Sequence, residues 1–244
     1  MALPPSHVSI ARWFVNIVEQ GELAPRMCSV FNQALIYFFY GGVFYRTGDK
    51  PTRNAAELPI AFLFDPGVLK SFFRYYPFDT GALASGRYGP AGERLKPFEE
   101  TYAVAGDYDG SAPSKMVYFL YQTNQRYLQG NVNDDLAKMP GPLPQVSAFL
   151  KDDLSKHGVD QRQALIECHA KEPISLKGLL WVGFPETMTD VFGQIYYLTK
   201  PSMPDYYKYE SHVIFNPAEI AAKLELKAAE VVKRFVSLPK AKSA

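Results

Sequence analysis

Four aromatic residues stand in a row at Tyr37-Phe38-Phe39-Tyr40, with Ala34-Leu35-Ile36 before them and Gly41-Gly42 after. Consecutive bulky rings suit a buried extended strand better than a helix, where each would lose rotamer freedom against the preceding turn. The glycine pair lets the backbone bend, or approach something that a Cβ would exclude. Beyond it the run continues through Val43-Phe44-Tyr45 to Arg46. A cation at the end of an apolar strand must reach water, a carboxylate or a phosphate. Arg46 is thus either a surface residue or a ligand-gripping one.

Several function classes fall away on composition. A length of 244 residues allows one large domain or two small ones. Aromatics at 14% are high for a soluble protein, which favours clefts lined by rings. Lys+Arg 26 against Asp+Glu 25 excludes a broad basic surface as the main source of nucleic-acid affinity. Cys28 and Cys168 make no metal-ligand spacing and are expected to be free thiols rather than a disulfide. No apolar run reaches the ~18 residues of a membrane span. Met1 to His7 lacks the basic and apolar regions of a signal peptide, so a cytoplasmic protein with no membrane partner is expected.

Read along the chain, residues 6–10 alternate as a short strand. Arg12 to Gln20 carries Trp13, Phe14, Ile17 and Val18 at helical spacing, and Gly21 is a natural stop. Glu57 to Phe64 is a second buried strand. Residues 76–145 are rich in glycine and proline and read as a loop-rich insertion, with a helix from about 114 to Gly130 inside it. Val146 to His157 is a helix. Ala164 to His169 is a strand with Ile166 and Cys168 on one face and Leu165, Glu167 and His169 on the other. Leu179 to Phe184 is a strand, Glu186 to Phe192 a short helix, Ile195 to Leu198 a strand and Pro201 to Tyr209 a loop. Glu210 to Phe215 is a last strand and Ala218 to Phe235 a last helix, with 236–244 a loose basic tail. The expectation is a single α+β domain over 1–244 with a largely antiparallel sheet.

Phosphate-binding glycine motifs, His-Glu-x-x-His, Gly-x-Ser-x-Gly and paired cysteine ligands are all missing from the sequence. No metal is therefore expected. Cys168-His169 cannot form a nucleophile pair, because neighbouring strand residues point to opposite faces. What stands out is an ordered set: His7 on a first strand, a helix running into Gly21-Glu22-Leu23, the Tyr37 to Tyr40 strand, and Glu210-Ser-His-Val-Ile-Phe-Asn216 near the end.

This order resembles the ADP-ribosyltransferases, on the branch of the poly(ADP-ribose) polymerases and DarT-like toxins. It covers residues 6–46 and 205–217. The resemblance implies a split, mostly antiparallel sheet with flanking helices, NAD as substrate and no metal. It implies that His7 holds a ribose of NAD, with Ser9, Tyr37, Tyr40 and Tyr45 completing the binding site. It also implies that Glu210 is the catalytic carboxylate. Relatives carry Gly-Arg where this chain has Gly41-Gly42, so Arg46 takes the arginine's part in gripping NAD and in catalysis; Arg12 or Arg53 are further cations for the pyrophosphate.

The implied chemistry suits the residue types. A carboxylate stabilises the oxocarbenium character that builds on the ribose as nicotinamide leaves, and tyrosine faces suit a flat cationic ring. Arg74, Asp79 and Thr80, in the polar aromatic stretch 73–81, and His212, two residues from Glu210, are expected on the substrate side. The implied function is mono-ADP-ribosyl transfer to a macromolecule, with nucleic acid ahead of protein. A bacterial toxin or phage-defence effector with an antitoxin or immunity partner would do this. An NAD glycohydrolase of the same fold and an inactive binding module are the alternatives.

Overall fold

Among the described residues the aromatic run forms an inner strand of a nine-stranded sheet. The computed structural model describes residues 2–43, 54–152, 164–199, 203–210 and 216–237. In chain order the strands are β1 (Pro5–Ile10), β2 (Glu22–Leu23), β3 (Arg26–Cys28), β4 (Gln33–Tyr40), β5 (Pro59–Phe64), β6 (Arg74–Tyr76), β7 (Val104–Ala105), β8 (Glu167–Ala170), β9 (Ile174–Ser175), β10 (Leu179–Pro185) and β11 (Asp205–Tyr209). The helices are α1 (Ala11–Gln20), α2 (Thr80–Ala84), α3 (Gly89–Glu93), α4 (Ala112–Tyr121), α5 (Asn124–Leu128), α6 (Leu143–Lys151), α7 (Thr189–Thr199) and α8 (Pro217–Ser237). The sheet runs β11-β10-β5-β1-β4-β8-β6-β7, with β3 also on β4, and β2 and β9 form a separate pair. The class is α+β, and the strand pairs are antiparallel except β10 with β11.

Local chemistry accounts for the first half of the chain. In α1 the buried residues Ala11, Phe14, Ile17 and Val18 make one apolar stripe. Gly21 ends it with φ +69, its N–H donating to Val18 O at 3.1 Å. The stripe packs on the sheet through Phe14, whose ring is 6.0 Å from Phe62 and 6.1 Å from Phe184. Phe192 of α7 stacks on Phe184 at 4.6 Å. Helix α8 covers the other face, with Leu224 buried against Gly183 of β10.

Gly41, directly after β4, has φ +72, and a Cβ there would meet Leu3 Cδ1 at 2.7 Å and the Tyr127 ring at 3.3 Å. The glycine pair therefore bends the strand's end and admits close neighbours. Gly41→Ala is expected to lower stability by about 1–3 kcal/mol, read as a lower urea midpoint at unchanged slope. An unchanged midpoint would show that Leu3 moves aside freely.

Three sequence expectations are corrected. Ile195 to Leu198 is helical within α7, where Phe192, Ile195 and Thr199 are buried at helical spacing; the paired tyrosines there favour a strand only in isolation. Residues 205–209 form β11 rather than a loop, in register with Trp181 to Pro185. Glu210 follows the end of that strand, and the rest of the strand expected over Glu210 to Phe215 lies outside the described residues. The 76–145 stretch holds α2 to α5 and joins the common hydrophobic core, with Phe78, Tyr88 and Phe98 buried. Phe149 of α6 joins them, 5.6 Å from Phe78. Helix α8 extends to Ser237, and 238–244 lie outside the described residues.

Candidate active site at the fork in the sheet

Strand β1 belongs to two neighbours. It pairs with β4 at Pro5↔Tyr40 and Ser6↔Phe39, and with β5 from Ser6 to Ile10. Past Ser6 it leaves β4, and β3 takes up the same edge of β4 only from Leu35 down. The sheet is split over Ile36 to Phe38. The gap opens into a cavity of about 330 Å³, within the range of small-molecule sites. Its walls are β1 (His7 to Ile10), α1 (Trp13 and Ile17), Leu23, Ala24, Arg26 and Met27, and Leu35 to Tyr37.

His7 bridges the fork. Its Nδ1 lies 2.8 Å from Tyr37 O. A carbonyl only accepts, so Nδ1 carries the hydrogen and Nε2 is left as an acceptor. Among the described residues nothing occupies that nitrogen, and it is not sealed from solvent. Burial, helped by Arg26, pushes the imidazole down to about 4 against the pull of the Tyr37 carbonyl. The ring is therefore neutral near pH 7.

The sign of the resulting pH effect follows directly. The folded pKa lies below the unfolded value of 6.5, so the unfolded chain binds more protons between the two. Stability is full above pH 6.5 and falls as pH drops toward 4. The loss is about 2 kcal/mol after discounting for the ring's partial exposure. Melting curves across that window should show a shallower acid slope for His7→Gln than for the parent; parallel curves would mean that His7 titrates normally.

Arg26 lies at the cavity's mouth, its guanidinium 4.0 Å from the Trp13 ring centroid. It is an exposed cation on the cleft wall that sequence reading passed over. Its position four residues after Glu22 carried no signal, because only the β3–β4 pairing turns it toward the fork.

Behind Tyr37 lies a buried polar network. Tyr37, His169 and Arg74 are cross-strand partners in one row, and Phe39, Glu167 and Tyr76 in the next. Glu167 and His169 are 1% and 0% exposed. Arg74 Nε and Nη2 donate to His169 Nδ1 at 3.2 and 3.1 Å. Arginine cannot accept, so the His169 hydrogen is on Nε2, which donates to Glu167 Oε1 at 2.5 Å. Thr80 supplies two more bonds, from Oγ1 to Glu167 Oε1 at 2.5 Å and from its backbone N to Oε2 at 3.0 Å. That backbone N–H opens α2 and has no partner within its own helix. The Tyr37 ring lies 4.7 Å from the His169 ring. Burial first, then its bond to Cys28 Sγ at 2.5 Å and the Glu167 carboxyl, raise the Tyr37 phenol far above its usual range.

Of the expected site residues, His7, Ser9 and Tyr37 meet in the cleft. Tyr40 does not. It is fully buried, its hydroxyl accepting from Leu3 N at 2.8 Å and sharing a hydrogen bond with Ser114 Oγ, so it is core. Asp79 caps α2 by accepting from Ala82 N, while Arg74 and Thr80 join the buried network rather than a binding surface. Glu210 is exposed past the end of β11. Four strand steps separate β11 from β4, on the order of 19 Å. Arg12 pairs with Glu57 at 2.9 Å on the surface. Tyr45, Arg46, Arg53 and His212 lie outside the described residues.

Cys28 and Cys168 are free thiols, and the buried Cys168 points away from His169, with its thiol pushed well above the ordinary range by burial. Among the described residues no group of three or more His, Cys, Asp or Glu could hold a metal ion, and no helix is long and apolar enough to cross a membrane.

No family model matches the chain, and no curated protein matches it. Among solved structures it is similar to Thermus sp. 2.9 DarT in complex with NAD+, at 9% identity and a TM-score of 0.42, over 85% of this chain and 96% of that one. DarT from the same source in complex with ADP-ribosylated ssDNA matches at 9% identity and a TM-score of 0.41, over 85% and 94%. Likeness at this level is too loose to carry an assignment of activity.

Proposed function

We propose that the fork between β1 and β4 binds NAD and that the protein transfers ADP-ribose from it to a macromolecular acceptor. The observation that carries this reading is the split itself. The sequence resemblance implies a His on the first strand and an aromatic strand beside it, and these two strands part with His7 and Tyr37 at the opening. A neutral imidazole with Nε2 unoccupied suits a ribose hydroxyl donor. Arg26 suits a phosphate at the mouth, and the half-buried Tyr37 suits the nicotinamide ring.

The carboxyl role goes to Glu167 rather than Glu210. Among the described residues no side chain lining the cavity carries a carboxyl, so Glu167 acts on the cleft from one strand behind it and not by touching the substrate. Glu167 acts electrostatically on Tyr37 from the adjoining strand. It is held rigidly, as transition-state stabilisation requires. A nucleic-acid acceptor ahead of a protein one, a role as toxin or defence effector, and an antitoxin or immunity partner are proposed on the sequence resemblance alone.

The test is nicotinamide release from NAD by the purified chain, with single-stranded DNA, RNA and a cell lysate supplied in turn. Release coupled to a labelled macromolecule supports the transferase. Release with no labelled acceptor turns the reading to an NAD glycohydrolase. Neither release nor binding of NAD by the folded chain sinks the enzyme reading and leaves a binding module.

A further inference from the structure

We propose that Thr80 and His169 are positioning residues that hold the Glu167 carboxyl in one orientation, and that Arg74 acts one bond further out by fixing the His169 tautomer. This rests on the reading of Glu167 given above. A carboxyl swings about its own side-chain torsions unless both oxygens are held. Here Oε1 accepts from Thr80 Oγ1 and His169 Nε2, and Oε2 accepts from Thr80 N. The donors come from two sides, the strand that carries Glu167 and the start of α2.

Each donor is itself fixed. Thr80 is fully buried, and Asp79 caps the same helix by accepting from Ala82 N at 2.8 Å. His169 is locked by Arg74, whose guanidinium lies 4.1 Å from the Phe31 ring centroid and 5.5 Å from that of Tyr76. Without Arg74, Glu167 alone holds the hydrogen on Nε2, and the other tautomer, which turns an acceptor toward Glu167, is opposed from one side only. The chain Arg74 to His169 to Glu167 thus has one direction of donation, which the Arg74 donors and the Glu167 acceptor enforce together.

The experiment is steady-state nicotinamide release by Thr80→Val, Thr80→Ser and Arg74→Met in the full chain, each also made in a Glu167→Gln background. Thr80→Val keeps the shape and loses the hydroxyl. It is expected to lower kcat up to about tenfold, as displacing the charge behind Tyr37 does, while KM stays within about twofold. Thr80→Ser should recover most of the rate. In the Glu167→Gln background the same substitution should cost nothing more, since it acts through that carboxyl. An unchanged kcat for Thr80→Val, or a loss that persists in that background, overturns the proposal.

A second readout does not depend on turnover. With imidazole nitrogens labelled, His169, identified by the signals lost in His169→Gln, should show hydrogen on Nε2 in the parent, with that tautomer eroded in Arg74→Met. A parent protonated on Nδ1, or a tautomer indifferent to Arg74→Met, overturns the proposal. If the parent neither binds nor cleaves NAD, the functional reading fails while this measurement still judges the network.

Discussion

Glu167→Gln is expected to lower nicotinamide release about tenfold or more, since about 1.4 kcal/mol of lost electrostatic support behind Tyr37 is tenfold in rate, and Glu210→Ala to leave it nearly unchanged. The contrast is large because the two carboxyls differ in every physical respect that matters. Glu167 is sealed, accepts three hydrogen bonds and influences Tyr37 at the cleft. Glu210 is exposed past the end of β11, four strand steps from β4.

A control on folding belongs with this test. The amide of Glu167→Gln brings a donor toward Thr80 and His169, which are donors already, so a stability loss of about 1–3 kcal/mol is expected alongside. Thermal melting and far-UV circular dichroism separate that loss from the kinetic one. Collapse of activity in Glu210→Ala, with Glu167→Gln still active, would reverse the assignment.

Phe38→Ala is expected to cost about 3–5 kcal/mol, the largest stability change of the substitutions considered. Phe38 is wholly buried at the centre of β4, with its ring centroid 4.7 Å from Phe72, 5.5 Å from His7 and 5.6 Å from Phe64. Truncation leaves a void under the sheet that rings on several strands cannot close together. The His7 ring also loses a wall, so NAD affinity should weaken with stability. A urea midpoint close to the parent's would mean that the core collapses into the space, and affinity would then be expected to hold.

Much of the frame was legible because it depends on local periodicity. The stripe in α1, its stop at Gly21, the buried runs of β4 and β5 and the long final helix are each written within one segment. The alternation that sets Glu167 and His169 on one face was legible too. Their importance was not, because Arg74 lies 95 residues from His169 in sequence, and Thr80 lies 87 from Glu167. Polar residues at that separation carry no sign of each other until a sheet joins them. Local reasoning misjudged Ile195 to Leu198 because tyrosine favours strands, while the packing of α7 on Phe184 decided for a helix.

The sequence by itself determined the α+β class and the central aromatic strand, since side-chain period and ring size act within a few residues, while His7, Ser9 and Tyr37, which line the cleft, were implied only by the resemblance of its ordered motifs. Only the tertiary structure decided where the sheet splits and which carboxyl is buried one strand behind Tyr37. Both depend on strand order: β3 and β1 share one edge of β4, and β8 brings Glu167 to the other. A buried carboxyl is stable only where donors from distant segments converge on it, and that convergence belongs to the fold rather than to any stretch of the chain.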